Sequence, residues 1–538
     1  DNSINQSSQT YVGWAWEGGD LATNSAYNQS QIWSDSVTNP NGAYGVASNA
    51  FNGDLSTHAS PNNANPMTYT NPSASDTVIS TFRIYTAIYT TSDIVLELND
   101  TDISDQVTTT TGWQTITGFT NQNFSKLKWA ANGNNYEVQL RAIEVNGKIL
   151  VDSGLIPVGS LNSTVYNQSQ TWSGQITGTN YSGYPKTQAF NNDTTDYCLA
   201  GQGEELVFTP NPSFSNATTV KIWYYMPTKH ANAIKINGTG VADDVSTTGS
   251  VATHTFTVSG FTSLSWSRGY YDSEDVGIAR IEVDGVHLVD SGISMPSYPA
   301  FASTVRANPT AGFSIVQYVS SGTGGRIATG LNATSDIVFI KPTSSTGDWF
   351  VYTDVIDGSL DYLKLNATDA KNNSTWTNLL NFSNFITMEG SSAAINSSGV
   401  TYSAYCFTSV EGYSSFKAHT VGSGTNFVYL GFRPRLVVLK RTGAGTTTNI
   451  AYGSWAMFDT ERDTYNEVDF DTILYANRNY AEGKRGDSAG STAGSYLNID
   501  ILSNGIRFQN GAAEFSQPND KIIVMAWAEH PFKTARAR

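Results

Sequence analysis

RAIEVNGKILVDSGL at residues 141–155 returns as ARIEVDGVHLVDSGI at 279–293, displaced by 138. Working outward, YNQSQIWS at 27–34 returns as YNQSQTWS at 166–173, and AFNGD at 50–54 as AFNND at 189–193, both displaced by 139. Three landmarks in one order, with a single net deletion, define a tandem duplication. We read the copies as residues 20–156 and 157–295. Within each, runs such as VISTFRIYTAIY, TVKIWYYM and AIEVNGKILVD alternate or cluster apolar residues over four to eight positions between Gly, Asn, Ser and Pro. No stretch carries a helical period. The expectation is an all-β protein of tandem antiparallel β-sandwiches, jelly-roll-like in each copy.

The last third duplicates as well. DIVFIKPTSSTGDWFVYTD at 336–354 matches RLVVLKRTGAGTTTNIAYGSWAMFDT at 435–460, pairing Lys341 with Lys440 and Trp349 with Trp455. Each copy closes on a similar strand, TYSAYCFTS at 401–409 and KIIVMAWAE at 521–529, so we place modules at 296–420 and 421–538. The opening YVGWAWEGG, residues 11–19, aligns with both closing strands: Trp14 with Tyr405 and Met525, Ala15 with Cys406 and Ala526, Trp16 with Phe407 and Trp527. Large, small, large suits a strand with one face on a core and the other on a close neighbour. Residues 1–19 are therefore expected to close a third, upstream module, or else to complete a domain elsewhere in the chain or in another subunit.

Composition narrows the function. A chain of 538 residues exceeds one hydrophobic core and predicts several domains. Its net charge of −16 would repel a polyphosphate backbone, which argues against nucleic acid as a partner. No apolar run approaches the roughly 20 residues of a membrane span, and the first residues lack the order of a signal peptide, so export takes another route or a leader has been removed. The two cysteines, Cys198 and Cys406, lie in different modules at positions where the other copies carry Ala, which predicts buried thiols and no disulfide. That count also suits folding in a reducing cytoplasm before release in a larger particle.

Residues 307–318 (ANPTAGFSIVQY), 402–416 (YSAYCFTSVEGYSSF), 427–442 (FVYLGFRPRLVVLKRT), 499–509 (IDILSNGIRFQ) and 526–538 (AWAEHPFKTARAR) resemble modules of marine bacteriophage tail-fibre and other virion structural proteins. The resemblance implies a virion component with concanavalin-like β-sandwiches. AFNGDLSTHAS and RAIEVNG are similar to landmarks of discoidin-like, galactose-binding-type jelly rolls, a fold of many carbohydrate-binding modules. That likeness implies a structural calcium held by Asp54, Thr57 and Glu144 in the first copy and by Asp193, Asp196 and Glu282 in the second. Calcium wants six to eight oxygens, so loop carbonyls would complete the shell; ordinary turn residues and a solvated strand Glu explain the same positions. The family's tryptophan after the landmark is replaced by His58 and Tyr197.

Catalytic patterns do not assemble. GDSAG at 486–490 lies in a Gly- and Ser-rich loop, not between a strand and a helix, and the overlapping Arg485–Gly486–Asp487 is a short adhesion tripeptide of a kind that arises by chance. The six histidines show no metal-ligand spacing. The acidic pairs Glu274 with Asp275 and Glu461 with Asp463 read as solvated turns before they read as a hydrolytic pair. Aromatic side chains beside turns carry more, because sugar rings stack on exposed aromatic faces. Tyr224, Tyr225, Trp266, Tyr270 and Tyr271 are the candidates, against core packing, whereas Trp33 and Trp172 hold equivalent repeat positions and belong in cores. The expectation is a non-enzymatic virion surface protein, part of a tail or surface fibre. Its partners would be copies of itself (a trimer by analogy with fibres), other virion proteins and a host-surface glycan. A cellular adhesin or sheath protein, or the binding half of a carbohydrate-active enzyme, is the alternative.

Overall fold

The structure is a computed structural model of the chain. It describes residues 14–530 except 17, 22–23, 25, 42–44, 62–64, 73–76, 89–93, 132–137, 162–164, 229–232, 242–248, 271–274, 294–297, 382, 423–425, 444–452, 463–472, 479–498 and 509–518. The described residues are all-β: strands, turns and short 3-10 segments, with no α-helix among them. Among the described residues, no helix is long and apolar enough to cross a membrane. Contacts divide the chain into two compact units, Gly159–Tyr298 and Asp1–Val158 with Pro299–Arg538.

Both copies of the first duplication are two-sheet sandwiches. In the copy ending at 156, one sheet runs Tyr27–Asn28, Lys148–Leu150, Val138–Val145, Phe82–Ile88, Gly112–Ile116; the other runs Val37–Thr38, Met67–Thr70, Lys126–Ala131, Ile94–Leu98, Thr101–Asp102. Their inner faces share one core that includes Phe82, Ile84, Leu96, Trp129 and Leu140. The second copy repeats the order with Tyr166–Asn167, Val286–Leu288, Gly277–Val283, Thr219–Tyr225 and Ala252–Thr257 over Ile176–Thr177, Glu205–Phe208, Leu264–Ser267, Ile234–Ile236 and Thr239–Gly240. Pairing is antiparallel except where the first strand of each copy runs parallel to its last. The quoted landmarks turn two residues at positive φ, Asn146–Gly147 and Asp284–Gly285, as a two-residue hairpin requires.

The landmarks repeat because they bond to one another. Trp33 Nε1 donates to the Asn28 carbonyl at 2.8 Å and Trp172 Nε1 to the Asn167 carbonyl at 2.8 Å. Asp152 accepts the backbone N–H and hydroxyl of Ser34 at 2.9 and 2.6 Å; Asp290 accepts those of Ser173 at 2.8 and 2.5 Å. Gln29 and Gln168 then donate to the carbonyls of Asp152 and Leu155, and of Asp290 and Ile293. Each sandwich is thus fastened where its first strand meets its last. A buried carboxylate left without these donors would be strongly unfavourable, so neither landmark can change alone.

The C-terminal modules are built on one alternation. In Thr401–Phe407, Tyr402, Ala404 and Cys406 face a core shared with Ile327, Ile386 and Met388 of the small sheet Gly325–Ala328 and Phe385–Met388. In Lys521–Ala528, Ile522, Val524 and Ala526 face a core shared with Val428, Ile501 and Ile506. The large residues of both strands, Tyr405 and Phe407, Met525 and Trp527, point the other way and gather with Phe313, Phe416, Val438 and Trp455 in a further cluster. The paired lysines also repeat: Lys341 Nζ donates to the Gly347 carbonyl and fully buried Lys440 Nζ to that of Gly453, each two residues before the paired tryptophan.

The opening segment departs from the first expectation. Trp14–Trp16 is not in a strand, and both tryptophans pack against the cluster of large residues between the C-terminal modules. Asp20–Leu21, expected to open the first repeat, pairs antiparallel with Ser303–Asn308, and Leu155–Ile156 pairs with the same strand. Both ends of that repeat are therefore stitched to the edge of the C-terminal sheet. Gly19, at φ +73°, makes the approach feasible, because a Cβ there would lie 2.0 Å from the Ala307 carbonyl oxygen.

Two outcomes are expected. Asp290→Ala removes two charge-assisted hydrogen bonds and should lower the stability of Gly159–Tyr298 by about 3 kcal/mol in urea unfolding, with little change in the remainder. Cys198 and Cys406 are both buried, and burial pushes each thiol up to about 12; a thiol-specific disulfide reagent at pH 8 should label neither in the folded protein and both in denaturant.

Candidate functional site

In Thr219–Tyr225, Val220, Ile222 and Tyr224 point into the core, so Lys221, Trp223 and Tyr225 point outward. A register shift between Trp223 and Tyr224 sets Tyr225 opposite Gly277 on the neighbouring strand. Gly277 leaves a shelf on which the Tyr197 ring lies: a Cβ there would sit 2.3 Å from Tyr197 Cδ2. The Tyr197 ring stacks on Tyr225 at 4.7 Å and 11°, and on Tyr184 at 5.4 Å and 22°. Tyr184 meets Tyr181 at 6.1 Å, and the Arg268 guanidinium covers Tyr181 at 4.1 Å. Arg268 is itself buried and ion-paired with Asp275.

Local sequence explains the row. Tyr181-Ser-Gly-Tyr184 is a turn closed by Tyr184 N–H on the Tyr181 carbonyl at 3.1 Å, with Gly183 at φ +86°, and extended Pro185 stands at the head of the 3-10 segment Lys186–Phe190. Tyr181 N–H is tied to the Leu199 carbonyl at 2.9 Å. Tyr270, 71% exposed, stands two residues beyond Arg268, with its carbonyl accepting from Gln202. Burial, then Tyr184, Tyr225 and Asp275, push the Tyr197 phenol up to about 12, so that ring stays neutral across ordinary pH. Because the rings stack on one another, the patch covers most of its own ring faces within the row. With Arg268 paired to Asp275, it suits a neutral, hydroxyl-bearing ligand better than an anion.

Among the described residues, the first copy shows no such row. Gly45, His58, Ala87 and Gln139 stand where the second has Tyr184, Tyr197, Tyr225 and Gly277, and Ala87 pairs with Gln139 as Tyr225 pairs with Gly277. The cores match while this surface has diverged.

Of the five aromatic candidates, the structure brings Tyr225 into this row, while Tyr270 stands exposed two residues beyond Arg268. Tyr224 and Trp266 are corrected: both are core residues, Trp266 fully buried with Nε1 donating to the Cys198 carbonyl at 3.1 Å, because strand parity turns them inward. Tyr271 lies outside the described residues. Tyr181 and Tyr184 were missed; their signal was the YSGYP turn, and Tyr197 had been noted only as a replaced tryptophan.

The residues implied for calcium do not fit it. Asp54 Oδ1 accepts from the backbone and hydroxyl of Ser56 at 2.8 and 2.6 Å, and Thr57 Oγ1 is held between Asn52 and the Asp54 carbonyl. Both Glu144 oxygens take the Arg83 guanidinium. In the second copy Asp193 accepts from Thr195, Asp196 from Asn191, and Glu282 sits opposite Lys221 and 3.4 Å from His287. In each copy an arginine reaches the loop carbonyls: Arg141 donates to Leu55 at 2.9 Å and Arg280 to Asn192. A fixed cation at those oxygens opposes a divalent ion. Among the described residues, no three His, Cys, Asp or Glu are grouped to hold a metal.

The other motifs place as follows. GDSAG, its RGD tripeptide, Glu274 and Asp463 lie outside the described residues, while Asp275 pairs with Arg268 and Glu461 with Arg435.

Fold and patch together define a tandem β-sandwich protein with an aromatic surface on one repeat. Residues 290–531 match the model of a family described as "Domain of unknown function (DUF7483)", so both C-terminal modules are similar to that family. No curated protein matches the chain.

Arg141→Ala should cost about 1.5 kcal/mol by loss of a charge-assisted hydrogen bond, whereas a calcium chelator should leave the melting temperature unchanged. Trp266→Ala should unfold Gly159–Tyr298 at markedly lower denaturant, by about 3–5 kcal/mol, as a core deletion does.

Proposed function

We propose that this chain is a non-enzymatic surface component of a bacteriophage virion, part of a tail or surface fibre, that contacts a neutral host-surface glycan through the tyrosine patch of its second sandwich. The observation that carries the glycan contact is the row Tyr225, Tyr197, Tyr184 and Tyr181, which the described residues show in one of two otherwise equivalent repeats. Tyrosines supply rigid amphipathic contact at low entropic cost, and their hydroxyls match the hydrogen-bonding groups of a sugar. The virion assignment is supported by the sequence resemblance of the C-terminal modules and by their tandem build. A single such patch binds weakly; a homo-oligomer presenting several gains through effective concentration.

A glycan array probed with the 538-residue chain, with and without oligomerisation, tests the contact. Tyr270→Ala or Tyr184→Ala should weaken binding about tenfold, roughly 1.4 kcal/mol, while His58→Ala at the equivalent place in the first repeat should leave it unchanged. No bound glycan, or equal binding by all three variants, would sink the reading. Immuno-gold labelling of native particles tests the location: label on a virion fibre supports it, and label on a cellular filament favours an adhesin.

A further inference from the structure

We infer that residues 159–298 are a self-contained binding head spliced into a hairpin of the rest of the chain, so that the tyrosine row can be removed or exchanged whole without unfolding its host; the binding half of this rests on the glycan reading above. The host side closes on itself. Leu155 pairs with Thr304 and Ile156 with Ser303, antiparallel, so the strand that ends the first repeat and the strand that begins the C-terminal sheet are hydrogen-bonded neighbours. The anchorage reaches both junctions. Pro157 packs against Gly53, where a Cβ would lie 2.7 Å from the proline Cγ. On the other side Ala300 and buried Phe301 pack against Gly325, and Ala300 N–H donates to the Arg326 carbonyl at 2.8 Å. With the residues between Pro157 and Ala300 taken out, an antiparallel strand pair remains that needs only a turn.

The guest side closes as well. Leu161 N–H donates to the Tyr298 carbonyl at 2.9 Å, and the Tyr298 ring stacks on Tyr166 at 5.7 Å and 26°, so the two ends of the guest meet within it. Ser173 on Asp290, and Gln168 on the carbonyls of Asp290 and Ile293, lock its first landmark to its last. Its core, from Trp172 to Leu288, is built of guest residues alone, and among the described residues the other four cores contain none of them. A folded insertion with adjacent ends adds little closure cost to its host. The row is complete within the guest too: Tyr181, Tyr184, Tyr197, Tyr225 and the Gly277 shelf all belong to it. The first repeat is built differently. Both of its ends, Asp20–Leu21 and Leu155–Ile156, are strands of the C-terminal sheet, so it cannot leave without stripping that edge. The surface that diverged between the repeats thus falls on the repeat that can be exchanged.

A site-specific protease sequence inserted after Val158, and another before Pro299, lets the 538-residue chain be cut after it has folded. Urea unfolding followed by hydrogen exchange and mass spectrometry then reads the two units separately. The cut should leave both unfolding midpoints unchanged. A glycan that the uncut chain retains on the array should be bound equally by the released 159–298 and not at all by the remainder. A second variant, in which Val158–Pro299 is replaced by a Gly-Asn-Gly turn, should fold with the remainder's midpoint unchanged. The inference is overturned if cutting lowers either midpoint, if the turn variant does not fold, or if the released piece loses a glycan that the uncut chain binds. An uncut chain that binds no glycan overturns the glycan reading instead, and the two midpoints still decide whether 159–298 is a separable guest.

Discussion

Alternate residues of a strand face opposite ways, and in the C-terminal modules both faces must be buried. That constraint organises this half of the protein. A sandwich with one wet face could place polar residues at Tyr405, Phe407, Met525 and Trp527; here those positions make a common apolar cluster, and the modules cannot separate without exposing it. Small residues follow on the other side, since Cys406 and Ala526 sit where sheet meets sheet within a module. Buried Lys440, caged by the carbonyls of Gly453 and Asp369, and Trp455, donating to the Lys364 carbonyl at 2.9 Å, then satisfy polar groups beside the cluster.

The first duplication follows a different logic. Its sandwiches are fastened by polar clamps, Trp33 with Asn28 and Ser34 with Asp152, repeated as Trp172 with Asn167 and Ser173 with Asp290. With the ends fixed, the outer loops are free to differ. The second copy uses that freedom at Gly277, whose missing side chain admits Tyr197 beside Tyr225. In the first copy Gln139 occupies the shelf and is itself bonded to Arg141. The glycine shelf, together with tyrosines in place of Gly45, His58 and Ala87, thus separates the aromatic row from the equivalent strand of the first copy.

The loops after AFNGD and AFNND show why likeness of landmarks does not carry over a ligand. The turn is kept, with Asp54 and Asp193 each capping the residue two ahead, and the same acids are found at Glu144 and Glu282. Yet the positive charge at the loop carbonyls is supplied by Arg141 and Arg280 from the adjoining strand. The fold needs charge compensation there, and a guanidinium meets that need as an ion would.

Residue pattern alone determined the all-β character and the duplications, because strand alternation and repeated words are local properties of a sequence. Which face each alternate residue took was not local. Tyr224 and Tyr225 are adjacent and chemically identical, and only the pairing against Gly277–Val283 set one in the core and turned the other outward against Tyr197. Trp266 beside a turn looked available until Leu206 and Ile234 flanked it. Tyr181, Tyr184, Tyr197 and Tyr225 span 45 residues and meet because two loops and a strand converge, a juxtaposition that sequence separation hides and tertiary packing creates.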